Sequence, residues 1–311
     1  MIGTILTILL IVLLLALFTA PFEALEWWVD WFKDDPTIAK MLPPDSHRCD
    51  APYYLVYLTG VGSMEPDKHS WRETQLFVAL EKALPNAILV DNIFPYSMNN
   101  VALTGNRIFS WMWKFAQKAQ SNSFRSPAGM IINFRNIAQV GVSVDHRYGP
   151  IYDRGSAHLV RKALAYHGYP FDSKIPVYLI GYSGGGQIAT GAVPYLKQYL
   201  TGPLYVISIG GVFGSDPGHM QADHFYHLVG NGDKVERLGR IVFPRRWPIW
   251  RHSQWNQARS SGKVTIIPVQ ARAHTGRNAY LDPKNGPSDT QSYLDETVTI
   301  MANIIQYKPP S

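Results

Sequence analysis

From Tyr53 to Leu58 the chain reads YYLVYL, an unbroken apolar run that stops at Thr59-Gly60-Val61-Gly62. A run this short, closed by glycines, predicts a strand buried on both faces. The period then changes. Ser70-Trp71-Arg72-Glu73 has the form of a capping box, and Leu76, Phe77, Leu80 and Leu84 follow at helical spacing until Pro85 ends the segment. The same alternation predicts strands over Ala87 to Ile93, Pro176 to Ile180, Leu204 to Ile209, Phe225 to Val229 and Val264 to Val269. Helices are predicted over Arg154 to His167, over Gly184 to Leu200 with a bend near Pro194, and over Asp289 to Tyr307, where Leu294, Val298, Met301 and Ile305 share one face. Continuously apolar strands separated by helices predict an α/β domain: a mostly parallel central sheet flanked by helices on both faces.

The interval 96–150 is too long for a simple crossover. It carries FSWMWKFAQKA and AGMIINFRNIAQV, and reads as a helical insertion over the sheet. Its Phe109, Trp111, Met112, Trp113 and Phe115 suit the wall of an acyl pocket or the core of a lid.

The N-terminal pattern is of another kind. Ile2 to Ala20 contains no charge, and nineteen helical residues rise roughly 28 Å, close to the thickness of a bilayer's hydrocarbon layer. No Lys or Arg precedes the run, and Phe18 and Pro21 spoil a small-x-small cleavage site, so the reading is a retained single-pass anchor over 1–22 rather than a removed leader. Trp27, Trp28 and Trp31 fit an interfacial aromatic belt or packing on the domain. Residues 23–50 form a juxtamembrane linker before a domain over 51–308. Lys33 and Lys40 are too far from the apolar run, among too many acids, to assign the side of the membrane.

Composition adds little beyond this. The 311 residues carry 29 Lys and Arg against 23 Asp and Glu, a mild excess that suits an anionic surface, and no nucleic-acid-binding motif accompanies it. Cys49 is the single cysteine, which excludes an internal disulfide framework and a multi-cysteine metal site. From Lys234 to His252 six basic residues face one Glu, interleaved with Phe243, Trp247 and Trp250. That mixture suits an anionic lipid surface, or a solvated loop whose aromatics pack inward. His219, Asp223, His224 and His227 have metal-ligand chemistry, but the odd spacing of His224 and His227 on a strand sends them to opposite faces, so no metal is expected there.

The candidate chemistry is concentrated at Ile175 to Ala192, IPVYLIGYSGGGQIATGA, where one serine sits among glycines between a strand and a helix. A phosphate loop would need Lys followed by Ser or Thr where Gln187 and Ile188 stand. A dinucleotide fingerprint matches formally at Gly184 to Ala189, yet no acid for a ribose occurs between Gly184 and Ser215. Neither cofactor is expected. Gly181-Tyr182-Ser183-Gly184-Gly185 instead resembles the nucleophile elbow of the α/β-hydrolase family, with glycines two before and two after the serine where side chains would collide with neighbouring elements.

That resemblance implies a chain order of Ser, acid, His. Asp233 follows the strand FYHLV within Gly-Asn-Gly-Asp, and His274 follows the strand VTIIPV within Ala-His-Thr-Gly. Ser183, Asp233 and His274 are therefore the candidate triad, and the resemblance supplies Gly184 and Val61 as backbone donors to an oxyanion, with Thr59-Gly60 standing where the family often has His-Gly. The expected activity is hydrolysis of a carboxylic ester, with a hydrophobic or lipid-like acyl group suggested by the anchor and the aromatic content. The same fold also serves silent binding modules and acyltransferases, and both alternatives stay open at this point.

Overall fold

The computed structural model describes residues 51–63, 69–96 and 127–306, together with Thr7. The anchor-like segment over 1–22, the linker over 23–50 with its tryptophans and Cys49, and the aromatic cluster Phe109 to Phe115 lie outside the described residues. Among the described residues no helix is long and apolar enough to cross a membrane.

Six strands form one sheet: β1 (Tyr54–Leu58), β2 (Ile88–Val90), β3 (Val177–Tyr182), β4 (Leu204–Ile209), β5 (His224–Gly230) and β6 (Val264–Val269), in the order β2-β1-β3-β4-β5-β6. Every pairing is parallel, with Leu58 opposite Gly181, Gly181 opposite Ser208, Ile209 opposite Leu228 and Gly230 opposite Val269. The chain thus leaves β1, β3, β5 and β6 at one common edge of the sheet, where parallel α/β sheets gather their sites.

The period of two sorts the strand residues between two layers of core. Val56 and Leu58 of β1 join Val177 and Leu179 of β3 on one face, whereas Leu55 and Tyr57 join Tyr178 and Ile180 on the other. The described helices are α1 (Trp71–Ala83), α2 (Pro127–Val144), α3 (Gly149–Tyr166), α4 (Gly185–Leu196), α5 (Gly218–Gln221), α6 (Lys234–Val242), α7 (Gln254–Ser260) and α8 (Tyr293–Gln306). Leu76, Phe77 and Leu80 of α1 and Met301 and Ile305 of α8 cover the second face, and α3 and α4 cover the first.

Several boundaries differ from the sequence reading for local reasons. The capping box is present, with Ser70 Oγ accepting from Glu73 N–H and the Glu73 carboxylate accepting from Ser70 N–H at 2.9 Å. Helix α3 begins at Gly149, five residues before the expected Arg154, because Pro150 fits a first helical turn, where no N–H is needed. Helix α4 stops at Leu196, with Pro194 in its last turn. Helix α8 begins only at Tyr293, since Ser292 and Asp295 cap it reciprocally: Ser292 Oγ accepts from Asp295 N–H and the Asp295 carboxylate accepts from Ser292 N–H, each at 3.0 Å. Strand β2 keeps three residues of the seven expected. Within the predicted insertion, α2 is the described helical part.

A buried polar chain ties α2, α3 and α4 together. Ser143 donates to Asp153, Gln187 Nε2 donates to both Ser143 Oγ and Asp216 Oδ2 at 3.1 Å, and Gln187 Oε1 accepts from Gly214 N–H at 2.8 Å. Burial pushes the Asp216 carboxyl up to about 6, with the Gln187 hydrogen bond opposing it, and pushes Asp153 up as well. A raised acid favours folding in its protonated form, so this stabilisation is complete below about pH 4 and is lost as pH rises through about 6. Asp216→Asn retains the acceptor for Gln187 and never ionises; it should raise unfolding free energy by about 3 kcal/mol near pH 8 and hardly at all near pH 4. Urea unfolding at the two pH values checks this, and an equal gain at both would contradict it.

Candidate active site

Strand β3 runs without interruption into Ser183, whose φ of 54° lies in the left-handed region. Such a conformation costs a non-glycine residue of order 1–3 kcal/mol and persists only where neighbours hold it. Here Ser183 N–H donates to Ile209 O, and Ser183 O accepts from Gly186 N–H and Val212 N–H, all at 3.0 Å. The two glycines expected to permit close approach do so. A Cβ on Gly181 would stand 2.6 Å from Gly185 O and from Gly186 Cα, and one on Gly185 would overlap Leu58 O and stand 2.7 Å from Thr59 O.

The turn aims the hydroxyl at the histidine loop. Ser183 Oγ lies 2.7 Å from His274 Nε2, and His274 Nδ1 lies 2.8 Å from Asp233 Oδ2. Three residues from three separate loops, 91 and 41 positions apart along the two contacts, therefore form one continuous hydroxyl–imidazole–carboxylate chain. With the shared proton on Nδ1 facing the carboxylate, Nε2 is free to accept from the serine.

Asp233 is doubly committed. Its Oδ2 faces His274 and also accepts from the Tyr280 hydroxyl at 2.7 Å, while Oδ1 caps α6 by accepting from Val235 and Glu236 N–H at 2.9 and 3.0 Å. Burial alone would raise this carboxyl, but the hydrogen bond and charge of His274, with the Glu236 N–H and the Tyr280 hydroxyl, hold it below its ordinary value. It stays ionised through the neutral range.

Loop 59–63 closes over the turn. The Val61 side chain and Val140 of α2 stand 2.8 and 2.9 Å from where a Cβ on Gly184 would be. Neither Val61 N–H nor Gly184 N–H has a hydrogen-bond partner among the described residues. Backbone N–H groups left unpaired can stabilise an oxyanion, worth about 3 kcal/mol per donor where they reach it.

Four further residues hold this arrangement through contacts that the sequence did not show. Tyr280 accepts from Gly230 N–H at 2.7 Å while donating to Asp233, so it fixes the carboxylate to the end of β5. Tyr182 stacks on the His274 ring with centroids 5.9 Å apart and donates to His274 O at 2.7 Å. Asn136 of α2 donates to Val61 O and Ser63 O at 2.7 and 2.8 Å, and so pins loop 59–63 from above. Glu73 accepts from the Thr59 and Tyr57 hydroxyls, which gives Thr59 a partner. Asn136 left a trace in the sequence, where Arg135-Asn136 interrupts an apolar helical pattern, and Glu73 did so only as the acid of a capping box; the contacts of Tyr280 and Tyr182 need the fold to be seen.

The histidines near β5 do not converge. His227 is buried and faces Glu236 at 3.1 Å, His224 meets the Thr265 hydroxyl at 2.8 Å, and His219, buried and pushed down to about 3, contacts Asp216 O. Among the described residues no group of three His, Cys, Asp or Glu side chains is placed to hold a metal ion. No family model matches this chain, and neither a curated protein nor a solved structure matches it.

Proposed function

We propose that this chain is a serine hydrolase with an α/β-hydrolase fold, acting on a hydrophobic or lipid-like carboxylic ester. The observation that carries the reading is the unbroken contact from Ser183 Oγ through His274 to Asp233, with the serine held at φ 54°. Ser183 Oγ attacks the acyl carbonyl as its proton passes to His274 Nε2, and Asp233 stabilises the imidazolium. Gly184 and Val61 N–H groups receive the oxyanion. His274 returns the proton to the leaving alcohol. Water, activated by His274, then releases the acid from the acyl-enzyme and regenerates Ser183. The acyl preference rests on the apolar and aromatic sequence around the domain, including residues 2–20 as a membrane anchor.

A fluorophosphonate probe tests the proposal, since only an activated serine displaces its fluoride. The wild-type chain should label at Ser183 and Ser183→Ala should not. Absence of labelling in folded wild-type protein would mean a silent binding module. Product analysis with added alcohol separates hydrolysis from acyl transfer, in which the alcohol rather than water takes the acyl group.

A further inference from the structure

Helix α6 is turned the unusual way round. Its inward positions are Asp233 at the cap, Glu236 and Gly239, while Val235, Leu238, Ile241 and Val242 are exposed, the last three by 57–61%. A surface helix ordinarily buries its apolar stripe. Here the inward face is fixed by charge: the fully buried Glu236 carboxylate meets His227 at 3.1 Å, Arg240 Nε at 2.9 Å and Arg246 at 3.5 Å. Arg246 is itself held between the rings of Phe213 and Trp255, 4.1 and 4.6 Å from their centroids. Gly239 brings the helix against Val212, whose Cγ1 would lie 3.0 Å from an added Cβ. Rolling the apolar stripe inward would break this network, so the stripe is locked outward.

The exposed surface continues past the helix. Trp247 donates from Nε1 to Arg240 O at 3.0 Å, which seats it at the C-terminal end of α6, and Trp250 N–H donates to Trp247 O at 3.0 Å. Trp247, Ile249 and Trp250 are 43%, 80% and 55% exposed, so these aromatics are not packed inward. Of the thirteen large hydrophobic side chains exposed among the described residues, seven fall between Val235 and Trp250. Such concentration marks an interaction surface. Lys234, Arg237 and Arg240 run beside the stripe at helical spacing, and Arg245 and Arg251 flank the tryptophans.

We propose that this face docks on an anionic lipid surface. Apolar and indole side chains beside a row of cations are what an interfacial helix needs, the former entering the headgroup boundary and the latter meeting lipid charge. Five exposed basic residues, Lys234, Arg237, Arg240, Arg245 and Arg251, with no exposed acid between Lys234 and His252, disfavour a twofold-related copy, which would set like charges against each other. Thirty residues separate Ala20 from Ala51, so a bilayer holding residues 2–20 lies within about 100 Å of chain from the domain. Docking through α6 brings the domain onto that surface by the end that carries Asp233. This inference stands apart from the hydrolytic reading, because a silent module would dock equally.

The test uses the full chain carrying Cys49→Ser and Ile249→Cys, labelled with an environment-sensitive dye and reconstituted with phosphatidylcholine vesicles, with or without phosphatidylglycerol. With the anionic lipid the dye should shift to the blue and its quenching by iodide should fall several-fold; both effects should disappear in Arg245→Glu/Arg251→Glu and at raised salt. A dye at Val78→Cys on α1 should remain quenchable throughout. No shift at position 249 on anionic vesicles overturns the proposal, as does an equal shift at position 78. A shift without lipid, at doubled mass in sedimentation, would assign the face to a second copy instead.

Discussion

On the proposed reaction, Asp233→Asn should lower the turnover of an activated ester by about 10⁴-fold while leaving the fold in place. The amide has one oxygen where the carboxylate has two, and the structure makes both oxygens necessary. Oδ1 accepts from Val235 and Glu236 N–H at the start of α6. An amide keeps that cap only by turning its NH₂ towards His274 and Tyr280. His274 Nδ1 must then accept, its proton moves to Nε2, and the ring can no longer take a proton from Ser183. The opposite rotamer keeps the His274 contact but sets an NH₂ against two backbone donors, at a cost of about 1–3 kcal/mol. Turnover measured beside circular dichroism decides the matter: a folded variant retaining a tenth or more of wild-type activity would remove Asp233 from the reaction.

The largest loss of stability is expected at Gly185. An alanine Cβ there meets the carbonyl oxygens of Leu58 and Thr59, which are backbone atoms at the end of β1. Strand β1 is paired on both sides, to β2 and β3, and cannot withdraw without breaking a ladder. Nor can loop 59–63 move freely, because Tyr96, Asn136 and Glu73 all hold it. Gly185→Ala should therefore cost more than about 3 kcal/mol, and whatever folds should label poorly with fluorophosphonate as Val61 is displaced. Gly141→Ala is the control. Nothing lies within 4 Å of its added Cβ, and on the exposed side of α2 the change should be neutral or stabilising by up to about 1 kcal/mol. Equal unfolding midpoints for the two variants in urea would contradict the steric account.

What could be read before folding follows from range. Strand and helix types were legible because each is written in a local period: YYLVYL as a buried strand, and Ser70 with Glu73 as a cap whose two reciprocal bonds are both formed. Boundaries were less so. Helix α3 starts at Gly149, with Pro150 in a first turn that the apolar pattern ignores, and α8 waits for Ser292 and Asp295 to satisfy each other. The local period predicts no helix over Lys234 to Val242, where the basic and aromatic mixture suits a lipid surface or a solvated loop; that Val235, Leu238 and Ile241 share an outward helical face was not legible. That face is outward because Glu236 finds His227 and Arg246, residues nine behind and ten ahead of it, in the buried interior.

The sequence by itself determined the alternation of strands and helices, the glycines around Ser183 and the order of a hydroxyl, a carboxylate and an imidazole, since composition and local period carry all of these. Only the tertiary structure decided that the three meet. Parallel pairing sends β3, β5 and β6 out at one edge, and this is what brings Ser183, Asp233 and His274 to within 2.7 and 2.8 Å of one another in succession. Contacts across 91 and 41 residues are made by sheet register, a cooperative property that no window along the chain contains.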